Sequence, residues 1–104
     1  AALESEDHYR KIAGVMDEAR RMYTEEIGAL RGFKVYRSVA NFILIRYPIE
    51  LKPALQAEFA GEDYKVKFMD EPDLNTHMRI TLGRREQNRT VADVIWRIAK
   101  QAGL

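Results

Sequence analysis

The chain has 104 residues, of which 46% are apolar and 32% charged, with 17 basic and 16 acidic side chains. This length and hydrophobicity exclude an intrinsically disordered protein and predict a single domain over residues 1–104. The near-neutral balance gives no general attraction to a polyanion such as nucleic acid. The absence of cysteine excludes disulfides, thiolate nucleophiles and zinc–thiolate sites, and it is typical of a reducing compartment.

No segment predicts a membrane span or a secretory signal. The longest strongly apolar stretch, residues 39–45, contains Asn41 and is far shorter than the roughly 20 residues of a membrane helix. The N-terminal residues have neither a basic start nor an apolar core, so they do not form a signal peptide. We therefore expect a soluble, cytoplasmic domain that binds no membrane.

The first predicted element is a long helix, because apolar residues recur at steps of three and four along residues 9–30. Ser5 is placed to cap its start, and Gly32 is placed where a left-handed residue would end it. The predicted apolar stripe consists of Tyr9, Ile12, Met16, Ala19, Tyr23, Ile27 and Leu30.

Two strands are predicted next, at residues 33–36 and 41–47, because both segments are rich in β-branched and aromatic residues. Residues 42–45 are apolar at every position, as in an interior strand covered on both faces. The second strand is therefore expected at the centre of the sheet. Pro48 ends it, and residues 51–60 are predicted to form a short helix.

Two further strands are predicted from strict alternation of side chains at residues 64–68 and 77–82. The positions expected to face the core are Tyr64, Val66, Phe68, Met78, Ile80 and Leu82. The positions expected on the opposite face are Lys65, Lys67, His77, Arg79 and Thr81.

A last helix is predicted to end near Ala102, before Gly103. Its expected buried face is formed by Val91, Val94, Ile95, Ile98 and Ala99. The order helix, two strands, helix, two strands, helix predicts an α+β fold: a small, mostly antiparallel sheet packed on one face by three helices. The other face would meet solvent or another domain, and the apolar residues 42–45 favour another domain.

No catalytic residue or metal site is predicted. His8 and His77 are isolated in the sequence and lack the spacing of metal ligands. His77 shares a predicted strand face with Arg79, but a histidine on the surface of the sheet is the favoured interpretation. No nucleophile elbow, phosphate loop or dinucleotide-binding glycine pattern occurs.

Arg79 is the main candidate for a binding residue, because a guanidinium fixed mid-strand can bind a carboxylate or phosphate through two parallel hydrogen bonds. The residues alone favour a simpler interpretation, in which Arg79 pairs with an acidic neighbour across the sheet. A further alternative groups Arg79 with Arg84, Arg85 and Arg89 as a nucleic-acid contact. A solvated helix end explains the last three arginines better.

Three stretches carry a resemblance to a known family. Residues 36–46 contain the sequence Ala-Asn-Phe-Ile-Leu-Ile-Arg, residues 78–83 read Met-Arg-Ile-Thr-Leu-Gly, and residues 85–88 read Arg-Glu-Gln-Asn. In this order they resemble the "aNF-iLvr", "lRIT-x-G" and "r-e-x-N" motifs of the histidinol-phosphate aminotransferase family. The helix around residues 20–30 resembles the helix that precedes these motifs, so the resemblance spans nearly the whole chain.

The resemblance implies the C-terminal small domain of a fold-type-I, pyridoxal-phosphate-dependent aminotransferase. In that family the arginine of the "RIT" strand binds the substrate carboxylate or its counterpart, and Arg79 is at this position. Lys67 falls at or beside a second family arginine, and Asn41 lies in the first motif, so both are further substrate-binding candidates. Where the family has an arginine this chain has Lys67, and where the family has a threonine it has Arg84. A lysine is a point charge instead of a planar fork, which affects recognition of a phosphate.

The resemblance also assigns pyridoxal phosphate to a large domain that has no counterpart in these residues. We therefore expect no cofactor and no transamination on this chain alone, which would be an excised domain or a fragment. The implied partners are that large domain, an amino-acid or keto-acid substrate, and a second subunit in a homodimer. The alternatives are a stand-alone regulatory module that binds a small anion and, less favoured, a nucleic-acid-binding domain.

Overall fold

The computed structural model describes residues 2–38, 40–60 and 65–104, with side chains from residue 10 onward. Tyr64, one of the predicted inward-facing residues, lies outside these ranges. The elements in chain order are helix α1 (Ala2–Met22), a π-helical turn (Tyr23–Ile27), strands β1 (Lys34–Val35) and β2 (Phe42–Arg46), a 3-10 turn (Ile49–Leu51), helix α2 (Lys52–Glu58), strands β3 (Val66–Phe68) and β4 (His77–Thr81), and helix α3 (Arg85–Gln101).

The described strands form an antiparallel sheet in the order β1-β2-β4-β3. β2 is an interior strand, as predicted, and β4 is the other interior strand. Arg79 in β4 lies opposite Leu44 of β2 on one side and opposite Lys67 of β3 on the other. Hydrogen bonds to both neighbouring strands therefore fix the backbone that carries Arg79.

The hydrophobic core lies between one face of this sheet and the three helices. Its largest fully buried side chains come from both layers and include Tyr23, Ile43, Ile45, Met78 and Ile95. Each such side chain contributes about 1.5–3 kcal/mol through removal of apolar surface from water. This arrangement confirms the predicted α+β fold with an antiparallel sheet and three helices.

The first helix differs from its prediction at both ends. It begins at Ala2, so Ser5 lies inside the helix instead of capping it. The α-helix ends at Met22, and a π turn follows in which the Gly28 N–H donates to the Tyr23 carbonyl at 3.0 Å. Gly32 does adopt the predicted left-handed conformation, with φ of 82°, and a Cβ there would lie 2.7 Å from Cγ of Pro48.

Among the described side chains of α1 and the π turn, the predicted apolar stripe is buried only in its C-terminal part. Ala19 is 3% exposed and Tyr23 and Ile27 are fully buried, whereas Met16 is half-buried and Ile12 is 42% exposed. The side chain of Tyr9, the first predicted residue of the stripe, lies outside the described residues.

The second sheet face is open in the described part of the chain. Phe42 is 36% exposed and Leu44 is half-buried, while Ile43 and Ile45 point into the core. No described residue covers Phe42 and Leu44, so coverage of this face by another domain remains a prediction. Within this apolar run, Ile43 and Ile45 face the core, whereas Phe42 and Leu44 lie on the open face.

Arg89 joins α3 to the π turn through a two-point ion pair. Its two terminal nitrogens donate to the carboxylate oxygens of Glu26 at 2.8 and 2.6 Å, and its Nε donates to Asp93 at 2.9 Å. The hydrogen bonds from Arg89 lower the pKa of Glu26. A lowered folded-state pKa stabilises the fold above the unfolded pKa, and this contribution is lost as the pH falls through the folded pKa.

We expect Glu26→Gln to lower the free energy of unfolding at neutral pH by about 1 kcal/mol or less, because both partners are partly exposed to solvent. The difference from the wild type should become smaller at acid pH, because protonation of Glu26 removes the charge that pairs with Arg89. Urea unfolding at the two pH values measures it. An equal difference at both values would contradict the assigned ion pair.

Candidate anion-binding face

The open face of the sheet is cationic. Alternation along the strands places these residues on it: Lys34, Phe42, Leu44, Arg46, Lys67, His77, Arg79 and Thr81. None of the four described strands contains an aspartate or a glutamate. Residues paired across strands lie about 5 Å apart, and those two apart along a strand about 7 Å, so these charges share one compact surface.

Arg79 lies in the middle of the open face and is exposed. Its guanidinium carbon lies 5.5 Å from the centre of the Phe42 ring, a cation–π contact that limits where the side chain can move. Among the described residues no carboxylate forms a salt bridge with it. The predicted ion pair across the sheet is therefore wrong, because the cross-strand neighbours of Arg79 are Lys67 and Leu44.

The three predicted binding residues are only partly brought together. Lys67 and Arg79 are direct cross-strand partners, and both are exposed. Asn41 immediately precedes β2, where its carbonyl accepts a hydrogen bond from the Leu82 N–H at 2.7 Å. Asn41 is thus at the end of the sheet, three residues along β4 from Arg79.

An arginine from α1 holds the segment before Asn41. The guanidinium of Arg20 donates one hydrogen bond to the Ala40 carbonyl and another, at 2.8 Å, to Asp17. Its side chain is only 19% exposed. The sequence indicates no role for Arg20 beyond the helix motif, because a contact across 20 residues leaves no local pattern.

His77 is buried, which corrects the prediction of a surface histidine. It lies on the open face with Arg79 but is only 8% exposed, because Tyr36 of the segment after β1 covers it. The Tyr36 hydroxyl lies 3.3 Å from His77 Nε2, and the two rings are 5.6 Å apart. Among the described atoms, His77 Nδ1 has no hydrogen-bond partner. The alternation correctly placed His77 beside Arg79, but the residue that covers it comes from a segment 41 residues away in the sequence.

The end of β4 is fixed to α3 by the buried amide of Asn88. Its Oδ1 accepts a hydrogen bond from the Gly83 N–H at 2.8 Å, and its Nδ2 donates to the Gly83 carbonyl at 3.0 Å. Asn88 is 5% exposed. From the sequence, Asn88 is known only as a residue of the third family motif. In the structure it anchors the end of the strand that carries Arg79.

The basic cluster at the start of α3 does not form one patch with Arg79. Arg85 pairs with Glu18 of α1 at 2.8 Å, and Arg89 pairs with Glu26 at 2.6 Å. Both pairs lie on the helical side of the sheet, and only Arg84 of this cluster lacks a salt bridge within the described ranges. The solvated helix end explains these residues better than a nucleic-acid contact.

Neither a metal centre nor a membrane span emerges from the described residues. No group of three or more metal-ligating side chains comes together there. No described helix has the length and apolar character needed to cross a bilayer.

The fold and the open face define a class: a small α+β domain with an exposed cationic sheet face. The chain is homologous to histidinol-phosphate aminotransferases along nine tenths of its length, which confirms the resemblance predicted from the motifs. It is 31% identical over 98 residues to histidinol-phosphate aminotransferase 1 of Caulobacter vibrioides, with 91% of the chain and 27% of the relative covered. For histidinol-phosphate aminotransferase 1 of Pseudomonas fluorescens strain Pf0-1 the identity is 29% over 93 residues, with 89% and 26% covered.

A third relative, the histidinol-phosphate aminotransferase of Aromatoleum aromaticum, is 30% identical over 87 residues, with 84% of the chain and 24% of the relative covered. The chain therefore spans about a quarter of the length of the curated relatives it matches. No protein-family model matches the chain.

The described residues do not fit a complete pyridoxal-phosphate site. The strand lysines of the open face, Lys34 and Lys67, are exposed to solvent. None of the four described strands supplies a carboxylate that could pair with the pyridine nitrogen of such a cofactor. The open face is a candidate site for an anion, because its charged side chains are cations.

Proposed function

We propose that the chain is the small domain of a pyridoxal-phosphate-dependent aminotransferase and that Arg79 binds the carboxylate of its substrate. One observation carries the proposal: an exposed guanidinium on an interior strand, with no carboxylate partner among the described residues. A planar guanidinium in this position can form two parallel hydrogen bonds to a carboxylate. The homology to histidinol-phosphate aminotransferases supports the same assignment.

Rigid placement is the main contribution of Arg79 to the proposed reaction. Strand pairing on both sides and the Phe42 ring beneath the guanidinium limit its positions. A carboxylate held at two points cannot rotate freely, so the bonds at the adjacent α-carbon keep one orientation. Pyridoxal phosphate supplies the electron sink when bound, and we assign its binding to the remainder of the parent polypeptide.

Lys67 and Asn41 have secondary roles in this proposal. Lys67 lies directly opposite Arg79 and adds a positive charge, but its ammonium cannot form the planar two-point contact. Asn41 lies at the end of the sheet, so we expect it to contact only a substrate that extends beyond the carboxylate. The full-length parent is proposed to act as a homodimer.

A second candidate function is a stand-alone module that binds small anions. The absence of any carboxylate from the four described strands supports it, because this property belongs to the chain itself. Titration calorimetry of the chain with amino and keto acids separates the two proposals. Millimolar or weaker binding by the chain alone favours the aminotransferase, whereas micromolar binding favours the module.

The aminotransferase proposal is tested by assaying the chain joined to the rest of its parent polypeptide. We expect transfer of an amino group from an α-amino acid, with roughly hundredfold lower kcat/KM for the amine that lacks the carboxylate. The factor follows from the 1.5–3 kcal/mol, approximately, of a hydrogen bond to a charged group. Absence of transamination, or equal use of both donors, would contradict the proposal.

A further inference from the structure

Like charges lie directly opposite each other at one end of the open face. Lys34 of β1 is the cross-strand partner of Arg46 of β2, and Arg46 is also the partner of His77 of β4. The Cβ atoms of residues paired in this way are about 5 Å apart, and like charges at that spacing destabilise a sheet. The pair of Lys34 and Arg46 therefore weakens the sheet unless an anion neutralises it.

No described residue supplies that anion. Lys34 and Arg46 are exposed, and neither forms a salt bridge within the described ranges. By contrast, Arg85, Arg89 and Arg97 on the helical side of the sheet each pair with a carboxylate. The two strand cations are thus free to bind an anion from solution.

The Tyr36 hydroxyl lies beside the same two cations. The Tyr36 N–H donates to the Leu44 carbonyl of β2 at 3.0 Å, yet its hydroxyl lies 3.3 Å from His77 Nε2 on the far side of β2. The ring therefore crosses β2, the strand that carries Arg46. Lys34 Nζ lies 4.8 Å from the centre of the same ring. The hydroxyl is the third polar group at this end of the open face.

The contact with His77 leaves the Tyr36 O–H free to donate. A neutral imidazole has one N–H and one acceptor nitrogen, and a buried N–H without an acceptor is rare in folded proteins. His77 is 8% exposed, and its Nδ1 has no hydrogen-bond partner among the described atoms. The hydrogen is therefore assigned to Nε2, which donates to the Tyr36 oxygen. The hydrogen of the hydroxyl then remains available for a ligand.

We propose that Lys34, Arg46 and the Tyr36 hydroxyl bind a phosphate group. The planar fork of Arg46 donates to two phosphate oxygens, and the Lys34 ammonium and the Tyr36 O–H donate to the others. A phosphate that approaches two negative charges matches the two unpaired cations, whereas a carboxylate neutralises only one. The group comes either from inorganic phosphate or from a small phosphate ester. The proposal does not depend on the role assigned to Arg79.

Titration of the 104-residue chain with sodium phosphate at constant ionic strength, followed by NMR of the backbone amides, tests this proposal. We expect saturable shifts centred on residues 34–36, 46 and 77, with a Kd of about 1–10 mM, as for a small anion at an exposed site. Acetate should bind there about tenfold more weakly or less, because it carries a single charge. Equal binding of acetate, or no saturation by about 50 mM phosphate, would overturn the proposal.

Glycerol phosphate provides the second arm of the titration. Tighter binding than that of inorganic phosphate would support the proposal with a phosphate ester as the ligand. Weaker binding would support it with inorganic phosphate as the ligand.

Variants locate the site on the sheet. Arg46→Gln should weaken phosphate binding about tenfold or more, and Tyr36→Phe, which removes only the hydroxyl, about threefold. The matched control is Arg97→Gln, the same substitution at an exposed arginine of α3, and it should bind phosphate within about twofold of the wild type. If Arg79→Ala abolished the shifts at residues 34–36, the phosphate would lie at Arg79 and the proposal would fail.

Stability distinguishes an anion-binding arginine from a structural one. Without phosphate and at low salt, Arg46→Gln should raise the urea midpoint, because the substitution removes the repulsion from Lys34. Phosphate should raise the midpoint of the wild type but not that of the variant, since only the wild type binds it. A lower midpoint for the variant under both conditions would show that Arg46 supports the fold, and would contradict the proposal.

Discussion

Replacing Arg79 with alanine in the complete parent enzyme is expected to lower kcat/KM for an α-amino acid roughly hundredfold, with little change for the amine that lacks the carboxylate. The variant loses the charged hydrogen bonds to the carboxylate, each of which contributes about 1.5–3 kcal/mol. Arg79 is exposed and makes no ion pair in the described structure, so its removal should cost little folding energy. Steady-state kinetics with the two donors measures the effect.

Conservative variants separate geometry from charge. Arg79→Lys keeps the positive charge but loses the planar fork, so we expect it to recover only part of the lost activity. Lys67→Ala removes the neighbouring ammonium and should reduce kcat/KM about tenfold or less. Equal losses in the two alanine variants would indicate general charge attraction instead of a two-point contact at Arg79.

The control for this series is Arg97→Ala. Arg97 is an exposed arginine of α3 that pairs with Glu58 at 3.2 Å on the helical side of the sheet. Its substitution should leave kcat/KM within about twofold of the wild type.

If Arg79→Ala lowered the activity toward both donors equally, Arg79 would act on the fold or the cofactor site and not on the carboxylate.

Much of the fold was predictable because it depends on local periodicity. The core positions of α3 include Val91, Ile95 and Ile98, which the sequence pattern identified and which are buried in the structure. The alternation in β4 likewise predicted that Met78 and Ile80 face the core. Such patterns can be recognised in a single sequence, because a helix or strand with one buried face repeats its apolar residues at a fixed interval.

The features that could not be predicted depend on pairing between distant segments. His77 is buried because Tyr36 covers it, and this requires β1 and β4 to lie on opposite sides of β2. The absence of the predicted ion pair at Arg79 also depends on pairing between distant segments. The strand register makes Leu44 and Lys67 the cross-strand neighbours of Arg79, and neither is acidic. Tyr23 and Ile27 are buried in the π turn after Met22, but their spacing was also compatible with a regular helix.

The candidate site was partly accessible from sequence. The motifs identified Arg79 and Lys67 as residues of interest, but only the sheet register makes them cross-strand partners. The same register separates Asn41 from them. A motif records which residues recur in a family, whereas the distance between them follows from the order of the strands.

Asn88 gives the second large expected effect. We expect Asn88→Ala to lower the free energy of unfolding by about 2–3 kcal/mol, because the substitution removes two hydrogen bonds and leaves both backbone groups of Gly83 without them. Asn88 is 5% exposed, so water replaces the lost amide poorly. Urea denaturation of the 104-residue chain measures the change.

The matched control is Asn75→Ala, the same substitution at an exposed site. Asn75 receives its hydrogen bonds from Tyr47 and Lys52 through its backbone carbonyl, which alanine retains. Its effect should stay within about 0.5 kcal/mol. Because Asn88 anchors the end of β4, hydrogen exchange in Asn88→Ala should increase first at residues 81–84, close to the strand position of Arg79. Similar losses in the two variants would mean that the Gly83 contacts contribute little and that β4 is fixed by its strand partners alone.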